Sequence, residues 1–229
     1  MEDNVKAALN AGLTAIAITD HGPANLFGVG VQSLDVFHTI RQEIEVCQGK
    51  YPDIEILLGV EANIIGGDGT LDLPLERLHE FDIILAGLHL LVYPNDCRSG
   101  MLLAGNCIGR YSPRIGRSLR GANTQAITAA LTRYPIDILT HPGLHVNIDT
   151  KLVAETCAQT GTYMEINTGH DHIEPAYVRI AFEAGARFVI NSDAHRPCRV
   201  GEMQSGVRLV QAAGIPMAAI HNMAQEQET

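Results

Sequence analysis

The chain has 229 residues, 46% of them hydrophobic and 18% charged, which supplies a buried core and excludes a disordered or low-complexity chain. Sixteen basic residues against 26 acidic ones give a formal net charge of −10, a balance that argues against nucleic acid or an anionic membrane as partner. No run of about 18 uncharged apolar residues offers a membrane span, and Met1-Glu2-Asp3-Asn4 lacks the pattern of a signal peptide. Cys47, Cys97, Cys107, Cys157 and Cys198 are scattered and contain no C-x-x-C pair. They predict reduced thiols in a cytoplasmic protein rather than a disulfide frame or a sulfur-ligated zinc site.

Residues 3–11 read as a helix feeding the first apolar run, Leu13–Thr19 (LTAIAIT). A helical pattern at Leu34–Gln48 precedes the runs Ile54–Val60 and Asp82–Leu88. Next comes a segment from Cys97 to Ile136 that holds Arg98, Arg110, Arg114, Arg117, Arg120 and Arg133 and no acidic residue, so it carries +6 against −16 elsewhere. Gly, Ser and Pro recur through its first part, which predicts an Arg-rich loop at about 97–121, with a helix over Asn123–Arg133. The remaining runs, Ile136–Thr140, Thr162–Ile166 and Arg187–Ile190, alternate with helical patterns at Leu152–Thr160, Ala176–Ala184 and Gly201–Ala213. Gly161, Gly185 and Gly214 follow three of these helices, where a C-terminal cap needs positive φ. Short runs that are apolar on both faces read as buried parallel strands. Alternating with helices, they predict one α/β domain over 1–229 with a parallel sheet or barrel. A leading helix with no strand before it is unusual for such a domain, because it has nothing to cross over from.

Polar residues able to ligate a metal stand where the strands end. The first run leads into Asp20-His21-Gly22, the second into Glu61-Ala62-Asn63, the third into His89 and the fourth into His141. The fifth gives Glu165-Ile166-Asn167 and the sixth Asn191-Ser192-Asp193-Ala194-His195. In β/α barrels the C-terminal strand ends share one face. Imidazoles and carboxylates converging there suit Zn²⁺, Mn²⁺ or Fe²⁺.

The phrases AITDHGP (17–23), GVEANI (59–64), AGLH (86–89), NTQA (123–126), THPG (140–143), EIN (165–167) and SDAH (192–195) resemble the PHP (polymerase and histidinol phosphatase) family, and within it the bacterial YcdX-type phosphatases. The resemblance covers nearly the whole chain, in order. It implies a distorted (β/α)7-type barrel with up to three divalent metals at its C-terminal mouth, hydrolysing phosphate esters. Glu61, His89 and His141 match the ligands of one ion, with Glu61 bridging to a neighbour, and Asp193 matches a ligand of that neighbour. His21 and His195 match two of three ligands of a third ion. The family opens with a strand bearing D-x-H-x-H and a further ligand His. This chain starts after them, so the expectation is an N-terminally truncated member with about six strands. Its open edges would then have to be covered or paired, for instance in a homo-oligomer.

The reaction so implied is hydrolysis of a small phosphorylated substrate by a metal-activated water, with Glu61 and Asp193 acting through the metal. No G-x-S-x-G or Cys/His pairing supplies a side-chain nucleophile. Arg114, Arg117 and Arg120 are candidates to grip phosphate, since guanidinium pairs bidentately with phosphoryl oxygens. Two other classes are weighed against this one: an impaired chain serving as a metal-binding or scaffold module, and an amidohydrolase-type metalloenzyme. His170 and His172 read as a surface loop pair, with a substitute metal ligand as the alternative. His38, His79, His145 and His221 read as structural, Gly66-Gly67-Asp68-Gly69 as a turn, and Asp20 as a residue that caps or orients.

Overall fold

Each of the six apolar runs forms a strand, and the strands lie in one parallel sheet in chain order. The computed structural model describes residues 1–223. Helix α1 (Glu2–Asn10) comes first, then β1 (Ala15–His21), α2 (Val36–Lys50), β2 (Glu55–Asn63) and β3 (Ile83–Gly87). Two helices follow, α3 (Cys97–Gly109) and α4 (Pro113–Arg133), before β4 (Ile138–Leu139), α5 (Thr150–Thr160), β5 (Tyr163–Asn167), α6 (Pro175–Glu183), β6 (Phe188–Asn191) and α7 (Gln204–Ala213). The order β1-β2-β3-β4-β5-β6, parallel throughout, makes a curled half-barrel with helices outside it. Gly161 and Gly214 take left-handed conformations at the ends of α5 and α7, as their sequence positions predict.

Strands β2 to β6 bury most of both faces, which is why they read as unbroken apolar runs, whereas β1, at the edge, buries neither fully. Outward residues such as Ile56, Leu58, Val60, Ile166 and Ile190 join the large core under the helices. Inward, Leu85, Ile138 and Val189 form a smaller cluster inside the curl, flanked by Ile83 and Tyr163. Between the edges β1 and β6 lies a cleft of about 900 Å³, reaching from Ala15 and Ala17 on one wall to Val189 and Asn191 on the other. The β6 edge is sealed by the segment after α7. There Asn222 Oδ1 accepts the Ile190 N–H at 3.0 Å, Asn222 Nδ2 donates to the Ile190 carbonyl at 2.8 Å, and Ile220 bridges to Phe188.

The expected Arg-rich loop at 97–121 is instead helical, comprising all of α3 and the first half of α4. Asp96 caps α3 by accepting the Ser99 N–H at 2.7 Å, and Pro113 occupies the first turn of α4, where its missing N–H costs nothing. Three of the glycines that suggested a loop, Gly105, Gly109 and Gly116, lie at the contact between the two helices. A Cβ on Gly109 would stand 3.1 Å from the Gly116 Cα, and one on Gly116 would stand 2.5 Å from Asn147 Nδ2. Each glycine costs a helix about 1 kcal/mol, offset here by close packing of α3 on α4. The buried side chains of Asn106 and Asn123 exchange hydrogen bonds at 2.6 and 2.9 Å across the same interface. No helix among the described residues is long and apolar enough to cross a membrane.

Candidate metal centre

Parallel register delivers the candidate ligands to one end of the sheet. His21, the last residue of β1, pairs with Glu61 of β2, and Asn63 two residues further on pairs with Gly87 of β3. His89 and His141 follow the ends of β3 and β4. Gly87 leaves room for both rings, since a Cβ there would stand 3.1 Å from His89 Cε1 and 3.2 Å from His141 Cε1.

Three of the expected ligands meet closely. His89 Nε2 lies 3.0 Å from Glu61 Oε1, His141 Nε2 lies 3.1 Å from the same oxygen, and the two Nε2 atoms are 3.1 Å apart. Ligand atoms about 2.1 Å from one ion stand roughly 3.0 Å apart when cis in an octahedron and roughly 3.4 Å apart in a tetrahedron. The triangle therefore has the dimensions of a metal site. Hydrogen bonding alone satisfies it poorly, because two imidazole nitrogens and an anionic oxygen share one small space. His21 joins from the β1 side, its Nδ1 3.8 Å from Glu61 Oε2; with Glu61 and His89 it can present ligand atoms all within 4.8 Å of one another. Nδ1 of His21 is buried without a hydrogen-bond partner among the described residues. The residues present thus fit a divalent cation.

The electrostatics make Glu61 the anion of the group. Burial alone would raise the Glu61 carboxyl, but hydrogen bonds from His141 and His89 hold it well below its usual range, so it is an anion. Burial acts to lower His141 and contact with Glu61 outweighs it, raising the imidazole. His21, with burial dominant, is lowered and neutral, the form that ligates. His141 also takes a positive φ of 27°, held by Glu165 Oε2, which accepts its backbone N–H at 2.6 Å and the Thr140 hydroxyl at 2.8 Å. The same carboxylate accepts Asn167 Nδ2 at 3.0 Å and Asn191 Nδ2 at 2.8 Å. Glu165 and Asn167 were legible only as polar strand-end residues; the alternation E-x-N on an inward strand face is the signal for their supporting role.

The remaining expected residues lie further out. Asp193 follows β6, with Oδ2 3.2 Å from Asn167 Nδ2 and 3.3 Å from His170 Nε2. His195 is an exposed side chain 3.5 Å from Asp193 Oδ1. Asp20 is exposed and makes no side-chain hydrogen bond among the described residues, so it caps nothing here. Arg120 is committed to Asp149 at 2.8 Å and to the Ile148 carbonyl at 3.1 Å. Arg114 and Arg117 are exposed on the first turns of α4. His170 is an exposed loop side chain, as expected, while His172 departs from the expected surface pair, its ring nitrogens both buried without partners among the described residues. Burial pushes the His172 imidazole down to about 4. His221 stacks on Tyr163 with ring centroids 4.5 Å apart, a structural role as expected. His145 lies in the loop after His141, where burial, with the nearby Arg110, His170 and His141, lowers its pKa.

A family model described as PHP domain matches residues 1–169. A protein of Caldanaerobacter subterraneus subsp. tengcongensis named as a probable phosphatase is 31% identical over 229 residues, covering 96% of this chain and 79% of its own length. A second of that name, from Shewanella sp. strain ANA-3, is 27% identical over 97% of this chain and 80% of its own. Among solved structures, the histidinol phosphate phosphatase of Lactococcus lactis subsp. lactis, crystallised with zinc, L-histidinol and phosphate, superposes with a TM-score of 0.61 at 15% identity. That match covers 93% of this chain and 87% of the other, a likeness of fold.

Proposed function

Because this chain belongs to the PHP-domain family, we propose that it is a phosphatase that cleaves a small phosphorylated substrate at a divalent metal held by Glu61, His89 and His141. The triangle of ligand atoms at 3.0 to 3.1 Å carries the reading. A divalent ion there supplies Lewis-acid stabilisation of a phosphoryl oxygen and a water acidic enough to attack near neutral pH. The chain's own residues do the rest. Glu61 keeps a full negative charge, Glu165 fixes the His141 backbone, and His21, Asp193 and His195 offer ligands for further ions. Nitrogen and oxygen donors without thiolate suit zinc or manganese, with iron a third candidate. Five free cysteines fit the reducing cytoplasm. Arg114 and Arg117 offer exposed guanidinium groups to a phosphate, whereas Arg120 is already paired; Arg114→Ala with Arg117→Ala is expected to raise KM with kcat little changed, in steady-state assays.

The chain loaded with Zn²⁺ or Mn²⁺ is expected to hydrolyse p-nitrophenyl phosphate and to lose that activity on chelation. Glu61→Gln is expected to lower kcat/KM by more than about 100-fold. Activity that survives chelation would overturn the proposal. The rival reading, a module holding one ion without turnover, is favoured by Asp193 and His195 standing outside the triangle; it predicts metal binding with no hydrolysis of any ester.

A further inference from the structure

Outside the half-barrel, a second cavity of about 160 Å³ lies between the sheet and helix α6, a size that takes one benzene-sized ring. Its floor is the outward face of β5 and β6. Met164 and Ile166 alternate along β5, Met164 pairs with Phe188 of β6, and all three side chains border the cavity and belong to the core under the helices. Val178 and Ala181 of α6 form the roof; three positions apart, they share one face of the helix. Both are small, and between them and the strands the packing leaves a slot. Packed interiors hold few voids larger than a water molecule, and an apolar ring in this one would gain dispersion contacts with both walls. At one end the loops after β4 and β5 meet, bringing Pro142 from the first and His172 from the second.

Charge decides what fits. No Lys or Arg borders the cavity, and its one carboxylate, Glu165, is committed to the His141 N–H, Thr140, Asn167 and Asn191. A phosphate or carboxylate would therefore lose its hydration there and find no counter-ion. His172 supplies a polar end. Its two ring nitrogens are buried without a hydrogen-bond partner among the described residues, a costly state for polar atoms, and burial keeps the ring neutral. A neutral imidazole has one donor and one acceptor nitrogen, so a hydroxyl group can pair with either. The cavity is also separate from the cleft at the metal centre. Of the residues around it only Glu165 borders both, and none of Glu61, His89 and His141 lines it.

We propose that this cavity is a binding site for a small uncharged molecule made of one apolar ring and a hydroxyl group, seated between β5 and α6 with the hydroxyl at His172. The site stands apart from the metal centre, so it is tested on the chain without added metal, and its failure would leave the phosphatase reading untouched. Phenol is the probe, titrated into methyl-labelled protein and followed by NMR. Saturable shifts are expected at the methyl groups of Met164, Ile166 and Val178, with nuclear Overhauser contacts to them from the ring protons. Benzoate, the same ring carrying a charge, is expected to bind at least about tenfold more weakly. Ala181→Leu, which lowers the roof, is expected to weaken phenol at least about tenfold, and His172→Leu about two- to tenfold. Both variants are checked by circular dichroism and urea midpoint. Where the larger side chain at 181 unfolds the protein, the Overhauser contacts in the unsubstituted chain decide alone. Absence of saturable shifts would overturn the inference, as would shifts confined to Ile16, Leu57 and Leu85 in the cleft. Undiminished binding in a folded Ala181→Leu chain, or benzoate bound as tightly as phenol, would overturn it too. Equal phenol affinity in His172→Leu would overturn the placing of the hydroxyl.

Discussion

Glu165 shows how a buried carboxylate can hold the backbone and side chains around a candidate metal site. It is 3% exposed and accepts four donors, one of them the backbone N–H of His141. Replacing it by Gln puts two N–H donors where two acceptors stood and sets one against the Asn191 amide or against His141 and Thr140. Glu165→Gln is therefore expected to weaken metal binding about 10- to 100-fold, as loss of support behind a ligand typically does, measured by competition with a chelating dye. Cys157 makes a different residue-level case. Burial pushes its thiol up to about 12 from 9.0, so the native thiol stays protonated where the unfolded one ionises. The folded state then binds the extra proton, and stability falls as pH rises above about 9. The urea midpoint should drop between pH 8 and pH 10, and drop less in Cys157→Ala. Native-state alkylation should label the exposed Cys97 and Cys198 and spare the buried Cys157 and Cys47.

The α3–α4 pair is the element that the sequence pattern hides. Gly105, Gly109 and Gly116 look like loop punctuation until the partner helix is present, because a glycine chosen for close approach and one chosen for flexibility are the same letter. The buried Asn106–Asn123 exchange also ties α4 to the loop after β4, since Asn123 Nδ2 donates to the Asn147 carbonyl at 3.0 Å. Asn123→Ala leaves that carbonyl and both polar groups of Asn106 without their partner, so a loss of about 1–3 kcal/mol is expected in urea unfolding. Six strands and six of the helices, α4 only in its second half, were legible from period, apolar runs and glycine caps, since those signals are local. Strand β4 was legible too, although only Ile138–Leu139 forms it, because its residues are apolar whatever their neighbours do.

The whole molecule places its candidate site where the curled sheet brings distant strand ends together. Glu61 and His141 are 80 residues apart in the chain and 3.1 Å apart in space, so an ion between them bridges separate parts of the fold. Bound metal should therefore stabilise the native state by mass action, by about 2.7 kcal/mol at a free concentration of 100 Kd. Thermal unfolding with and without chelator checks this: Tm should fall on chelation in the unsubstituted chain and stay put in Glu61→Gln. Curling also leaves the cleft between β1 and β6, which fills the place of a closed barrel and gives the site a broad approach.

By itself the sequence determined the α/β class, the six strands and the strand-end positions of His21, Glu61, His89, His141, Asp193 and His195. Alternation of short apolar runs with helical periods is written locally, and parallel strands must all end on one side. Only the tertiary structure decided which of those residues meet. The triangle of Glu61, His89 and His141 depends on register, on ring orientation around Gly87 and on the Glu165 network behind His141. It was likewise the tertiary fold that brought His170 to Asp193, and the α3–α4 contact that made helices of a glycine-rich segment. Contacts between residues far apart in the chain leave no local period to read, so they appear only when the sheet has curled.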